Sequence, residues 1–270
     1  MAKSALLKSS IVKKYWMALT GLFLCLFLAG HLAGNLQLIF GTPLQFNEYA
    51  LFMTSNPAVK ILSYVTYLSI LFHAIDGIAL TFQNKAARPV GYAMQNASAN
   101  STWSSRNMAL LGTVILVFIV THMVNFWAVM HFDKSMPLYK TTIEVQPGMP
   151  QEFYVTTLGN YLPATEGSIK IVGNDFYDPN VNVKVAEGYK DLYKITVDFF
   201  KHPVYGLSAT ILYVLAMGAL AFHLLHGFQS AFQSLGVTRF ACTIKAFGKG
   251  YAIVVPLLFA IIPLYLHFIK

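Results

Sequence analysis

Five histidines stand inside long apolar stretches of the chain: His31, His73, His122, His223 and His226. An imidazole in hydrocarbon is costly unless it has a partner. Neutral imidazole is also a common axial ligand of haem iron, and two on one iron leave no coordination position open, which favours electron transfer over oxygen binding. The five histidines fall on four separate stretches, so four helices each bring a histidine inward. That arrangement points to an enclosed cofactor. His226 follows His223 by three residues, on nearly the same helix face, and on residue type alone it rivals His223. His131 and His202 flank a polar region and His267 lies near a helix end; these three read as solvent-facing or interfacial.

The elements that must carry these histidines are membrane spans. The chain has 270 residues, 56% hydrophobic and only 11% charged, where a soluble domain is about a quarter charged. Its net charge of +8 reflects Lys and Arg gathered in particular loops, which reads as membrane topology rather than nucleic-acid binding. The hydropathy pattern predicts an all-α membrane protein: five transmembrane helices in one bundle, over about 14–38, 58–82, 107–130, 205–233 and 251–268. The first apolar run is too long for a signal-peptide core and no small-residue cleavage site follows it. A polar region, 131–201, separates the third and fourth spans and is expected to form a sizeable extracytoplasmic cap rather than an independent domain. Within it, IEVQPG and EFYVTTLG read as short strands and Asp191 to Phe200 as an amphipathic helix; Phe46 to Met53 reads as another surface helix. The loops expected between spans run from Gln83 to Arg106 and from Val237 to Lys249. The two cysteines, Cys25 and Cys242, fall in different environments, so no disulfide is expected. No C-x-x-C-H occurs, which excludes covalent c-type haem attachment.

Basic residues set the expected orientation. Lys3, Lys8, Lys13 and Lys14 precede the first span; Lys85, Arg88 and Arg106 lie between the second and third; Arg239, Lys245 and Lys249 lie between the fourth and fifth. The positive-inside rule puts these segments, and the N-terminus, in the cytoplasm. At ~1.5 Å per residue, His31 then lies roughly 25 Å along its span, near the outer face. His122 also falls in the outer half, and His73 and His223, on spans of opposite direction, in the inner half. The histidines therefore pair by depth, His31 with His122 and His73 with His223, as two bis-imidazole haems stacked across a membrane would require. Asp76, in HAIDG, is the one clear acid inside a span, and Gly21, Gly30, Gly34, Gly77, Gly112 and Gly227 allow close approach of a backbone or a flat macrocycle.

Thr20 to Asn35 (TGLFLCLFLAGHLAGN), HAIDG (His73 to Gly77), G-x9-H (Gly112 to His122), H-x3-G-x8-G (His223 to Gly236), FNEYALFM after the first span and QNKAARP after the second together resemble the di-haem cytochrome b membrane subunit of succinate dehydrogenases and fumarate reductases, the type with a single five-helix anchor. The resemblance covers all five spans in order. It implies two haem b groups with His31, His73, His122 and His223 as axial ligands of the irons, the glycines of the last motif selecting His223 over His226. It implies a flavoprotein and an iron–sulfur subunit docked on the cytoplasmic face of a bacterial cytoplasmic membrane, with room for a higher oligomer of the complex. Electrons would pass from the iron–sulfur subunit through the haems to a membrane quinone, menaquinone being usual for this type, or the reverse in fumarate reduction. Arg106 is the expected partner for an inner haem propionate, and Glu48, Tyr49 and Asn35 are expected near the quinone. Two positions depart from some members: Ala221 stands where they carry a glutamate used in proton movement, and Ser234 where they carry a basic residue near a propionate. Two other readings compete: a b-type cytochrome anchor of another dehydrogenase, of hydrogenase or formate dehydrogenase type, and a membrane anchor without haem.

Overall fold

A computed structural model describes residues 10–90 and 96–270. Lys3 and Lys8, and part of the polar loop between the second and third spans, lie outside these residues. Among the described residues, five helices are long and apolar enough to cross a membrane: Ile11–Phe40, Pro57–Ala86, Met108–Phe132, Gly206–Ser234 and Ala241–Phe268, spans I to V. The chain is thus a helical, membrane-embedded protein.

Span I is α1 (Ser10–Asn35) followed, after a break at Leu36, by the turn α2 (Gln37–Phe40). Thr42 and Gln45 then form a capping box and Pro43 occupies the first turn, which starts the surface helix α3 (Pro43–Ser55). Asn56 caps span II, α4 (Pro57–Ala86), through its side-chain oxygen. The turns α5 (Ala97–Asn100) and α6 (Trp103–Arg106) lead to span III. That span is not uniform: α7 (Met108–His122) passes into a π-helical segment, Met123–Ala128, before α8 (Val129–Phe132). The wider turn begins immediately after His122. In this stretch Trp127 Nε1 donates to Tyr67 Oη at 2.7 Å and Asn125 Nδ2 to Tyr213 Oη at 3.4 Å, so its polar groups find partners on spans II and IV.

Six strands follow: β1 (Lys140–Gln146), β2 (Met149–Val155), β3 (Tyr161–Pro163), β4 (Lys170–Val172), β5 (Asp175–Tyr177) and β6 (Lys184–Glu187). They form two antiparallel three-stranded sheets, β1-β2-β3 and β4-β5-β6. The first contains the two strands expected from the sequence. The second has strands of three or four residues, too short to show an alternating pattern. Bridges Leu138↔Lys190 and Thr156↔Gly188 tie the ends of this region together, and the Phe176 side chain lies where a Cβ on Gly188 would sit, 2.7 Å from that position.

The amphipathic helix α9 (Leu192–Lys201) starts at Asp191, whose side chain accepts from Lys194 N–H at 3.0 Å. Its buried side chains, Tyr193, Thr196 and Phe200, face α3 and spans IV and V. Asn47, 1% exposed, locks it in place: Nδ2 donates to Asp191 Oδ1 at 2.9 Å, and Oδ1 accepts from Tyr193 N–H at 3.0 Å. At its other end, the Phe200 carbonyl accepts from His267 Nδ1 of span V at 2.6 Å. His131 is exposed and stacks on Trp127, while His202 stacks on Tyr205.

Span IV, α10 (Gly206–Ser234), ends at Gly236, whose φ of 76° is the left-handed conformation that glycine adopts at a helix C-terminus; Val237 N–H bonds back to the Phe232 carbonyl. Span V, α11 (Ala241–Phe268), corrects the expected boundary by ten residues. Ala241 to Gly250 reads as loop because of Lys245, Lys249 and two glycines, yet it is helical; long lysine stems let a helix continue past the hydrocarbon edge. Pro256 and Pro263 lie inside this helix and are buried, as prolines in membrane helices can be where neighbours satisfy the freed carbonyls. Both cysteines are free.

Tight packing joins spans I, IV and V. Cys25, Met217, Leu220, Leu224, Phe228 and Ala252 belong to one buried cluster, and Leu32, Phe46, Tyr193, Phe200, Val255 and Leu266 to a second that includes α9. Span II packs on I and III, and III on IV. Only 11% of the apolar stretch of span II and 6% of that of span III is buried, against 33% for spans IV and V. Spans II and III are therefore the more exposed helices, and the tightest packing lies on the I–IV–V side.

Candidate functional site

Spans I and III run toward the cap formed by 131–201, and spans II and IV away from it. A histidine late in I and III therefore meets its counterpart at the cap side, and one late in II and IV meets its counterpart at the basic end. The rings of His31 and His122 have centroids 5.9 Å apart with planes at 85°. Those of His73 and His223 are 6.2 Å apart at 64°. A metal–imidazole bond of about 2.0 Å, with about another 1.1 Å from nitrogen to ring centre, puts two imidazoles on one metal roughly 6 Å apart. Both separations match. His226 makes no ring contact with another histidine among the described residues.

The two pairs have different surroundings. At the cap side, Phe27 stacks on His31 at 5.3 Å and 14°, and Phe118 on His122 at 5.7 Å and 26°. Phe259 lies 5.7 Å from His31, and Phe126 and Tyr213 lie 5.3 and 6.0 Å from His122. The aromatic wall continues into α9 through Phe199 and Phe200, which contact Phe126 and Tyr213. Asn35 donates to the His31 carbonyl at 2.8 Å, and its Nδ2 lies 3.4 Å from each ring nitrogen of His31.

At the basic end, His73 Nδ1 lies 3.2 Å from Thr20 Oγ1 of span I. A Cβ on Gly21 would approach His73 Cε1 to 3.1 Å, and one on Gly112 would stand 3.7 Å from His223 Cε1. Each ring thus rests against a glycine of a neighbouring span. Asp76 follows His73 by one turn and is partly accessible. Trp103 of α6 reaches Phe222, 5.2 Å away, beside His223. Arg106, at the end of α6, is exposed, and its guanidinium donates to the carbonyls of Ala97 (2.9 Å) and Ser101 in its own loop.

In each pair, one ring leaves a buried nitrogen without a partner: Nδ1 of His122 and Nδ1 of His223. Such a nitrogen is costly in apolar surroundings. Rings paired at metal-bridging separation and orphaned ring nitrogens fit an iron porphyrin held by two imidazoles. Among the described residues no three His, Cys, Asp or Glu side chains converge on one point. A haem takes only two ligands from the protein, so pairs are the relevant unit.

Glu48 and Tyr49 line a cavity of about 680 Å³ between span I and α3, together with Ala33, Gln37, Phe40 and Gln45. The Tyr49 ring covers Gly34 so closely that a side chain there would push the ring aside. Burial pushes the Tyr49 phenol above its usual range, so it remains a hydrogen-bond donor at neutral pH. Asn35 does not line this cavity; its side chain turns to His31. Thr20 and the aromatic wall of Phe118, Phe126 and Tyr213 were not identified by sequence reasoning. Thr20 carried a signal, being a hydroxyl on span I at the depth of His73; the wall depends on the π-helical turn and on how α9 docks. No protein-family model, curated protein or solved structure matches this chain.

Proposed function

We propose that this chain is the membrane anchor and electron-transfer subunit of a succinate:quinone oxidoreductase of the di-haem, five-helix type. The observation that carries the reading is the pairing of four histidines, one from each of spans I to IV, at two levels and at metal-bridging separations. His31 with His122 and His73 with His223 would hold two haem b groups. When bound, these groups supply reversible one-electron transfer across the membrane. The chain's part is to fix ligand geometry, exclude water and shape the quinone pocket. Phe27, Phe118 and Phe126 exclude water from the cap-side pair. The cavity between span I and α3 is the proposed quinone site, lined by Glu48 and with Tyr49 as donor to a quinone oxygen.

The basic end, with Lys13, Lys14, Lys85, Arg239, Lys245 and Lys249, is the proposed cytoplasmic face, on which the iron–sulfur and flavoprotein subunits dock. The cap is then outside a bacterial cytoplasmic membrane, and menaquinone is the proposed acceptor. Arg106 would serve an inner propionate only after leaving the Ala97 and Ser101 carbonyls. Span IV carries no acid, so no proton path is assigned to it.

The test is a complex purified in detergent through a tag on this chain, followed by absorbance. Succinate is expected to reduce a b-type spectrum. A spectrum reduced by hydrogen or formate but not by succinate would assign the anchor to another dehydrogenase. No haem band after dithionite, in a folded preparation with its partners, would leave a haem-free anchor.

A further inference from the structure

Thr20 is 6% exposed, and its hydroxyl has one proton to give. Oγ1 lies 2.9 Å from the Trp16 carbonyl and 3.1 Å from the Met17 carbonyl, the back-bonded geometry of a helical threonine. Carbonyl oxygens only accept, so the proton goes to the helix backbone. Oγ1 keeps a lone pair for His73 Nδ1, 3.2 Å away. That acceptor calls for a proton on Nδ1, which leaves the free lone pair on Nε2. Gly21 lets the ring settle against span I close enough for this bond. The other three histidines lack an equivalent: Nδ1 of His122 and His223 has no partner, and Asn35 stands equally far from both nitrogens of His31.

We propose that Thr20 is a positioning residue, which fixes the tautomer and rotation of His73 so that Nε2 is the nitrogen available to a metal. The proposal deepens the haem reading and rests on it. A hydrogen bond accepted from Nδ1–H makes the imidazole a stronger donor, which favours ferric over ferrous iron.

The experiment compares wild type, Thr20→Val and Thr20→Ser in the purified complex, by redox titration of the haem bands, electron paramagnetic resonance of the ferric state, and nitrogen NMR of histidine-labelled protein. Thr20→Val is expected to make one haem easier to reduce, changing its ferric-to-ferrous ratio severalfold at a fixed potential, and to move one ferric signal; Thr20→Ser is expected to restore both. An unchanged titration and spectrum in Thr20→Val would overturn the proposal. So would an equal shift in Thr20→Ser, since side-chain shape would then be responsible. The NMR reading stands apart from haem. An Nε2-protonated His73 overturns this inference alone, whereas absence of haem with an Nδ1-protonated His73 overturns the cofactor reading and leaves the positioning role.

Discussion

The two histidine pairs stand on different spans, I and III at the cap side and II and IV at the basic end, and they are held by different physics. The cap-side pair is held by packing: aromatic rings lie against both histidines and the wall continues into α9. The basic-side pair is held by a hydrogen bond from another span and by glycines that let rings approach. Packing excludes water but is indifferent to which ring nitrogen carries the proton. A hydrogen bond selects the nitrogen and does little to exclude water. The same pair of residue types can therefore be given two environments by what surrounds it.

The sharpest way to break this contrast is to remove packing on each side. Phe200→Ala, at 3% exposure, is expected to cost about 3–5 kcal/mol, as buried Phe truncations do, read as a lower unfolding temperature in detergent. Trp103→Ala, at 51% exposure on the basic side, should cost about 1 kcal/mol or less; equal losses would erase the distinction. Next in size is the clamp that holds α9. Asn47→Ala leaves the buried Asp191 carboxylate without its side-chain donor and should cost about 1–3 kcal/mol, with earlier proteolysis in 131–201. An intact cap with an unchanged melt would show that α9 docks by apolar contact alone.

Gly21→Ala is expected to cost about 1 kcal/mol by crowding His73 and to perturb only the basic-side haem spectrum. Gly30→Ala, with nothing within 4 Å of the added methyl, should leave both spectra as they are. The smallest effect concerns the cap's surface charges. The Asp175 carboxylate, hydrogen-bonded to Lys184, raises that amine above the usual lysine range. A raised amine stabilises the fold at every pH below the ordinary lysine value and loses that contribution only as pH climbs through the folded one. Cap stability should therefore be flat from neutral to mildly alkaline pH, and Lys184→Ala should hardly change it. A marked dependence near neutrality would place the controlling charge elsewhere.

Much of this arrangement could be read from the chain. Long runs without charge give spans, and a fixed rise per residue turns sequence position into depth, so the two levels of histidines follow from counting. Which ring meets which is then a matter of helix direction. Other features depend on side-chain encounters that no periodicity records. Strands β4 to β6 are too short to alternate, the first turns of span V look like loop because lysines interrupt the apolar pattern, and the π-helical turn after His122 has no sequence mark. Arg106 faces the basic end, as counting suggests, but the carbonyls of its own loop hold its guanidinium. Thr20 has the depth of His73 in its favour, but only the contact between the two side chains singles it out from other helix hydroxyls.

The central claim is that each pair of histidines holds one haem. The most direct measurement is haem per polypeptide, with reduced-minus-oxidised spectra, for His31→Ala, His122→Ala, His73→Ala, His223→Ala and His226→Ala in the purified complex. The account predicts two b-type haems in wild type and in His226→Ala, and one in each of the other four. The residual spectrum should be shared by His31→Ala and His122→Ala, and a different one by His73→Ala and His223→Ala. A residual spectrum common to His31→Ala and His73→Ala, or a folded wild-type complex without haem, would contradict it.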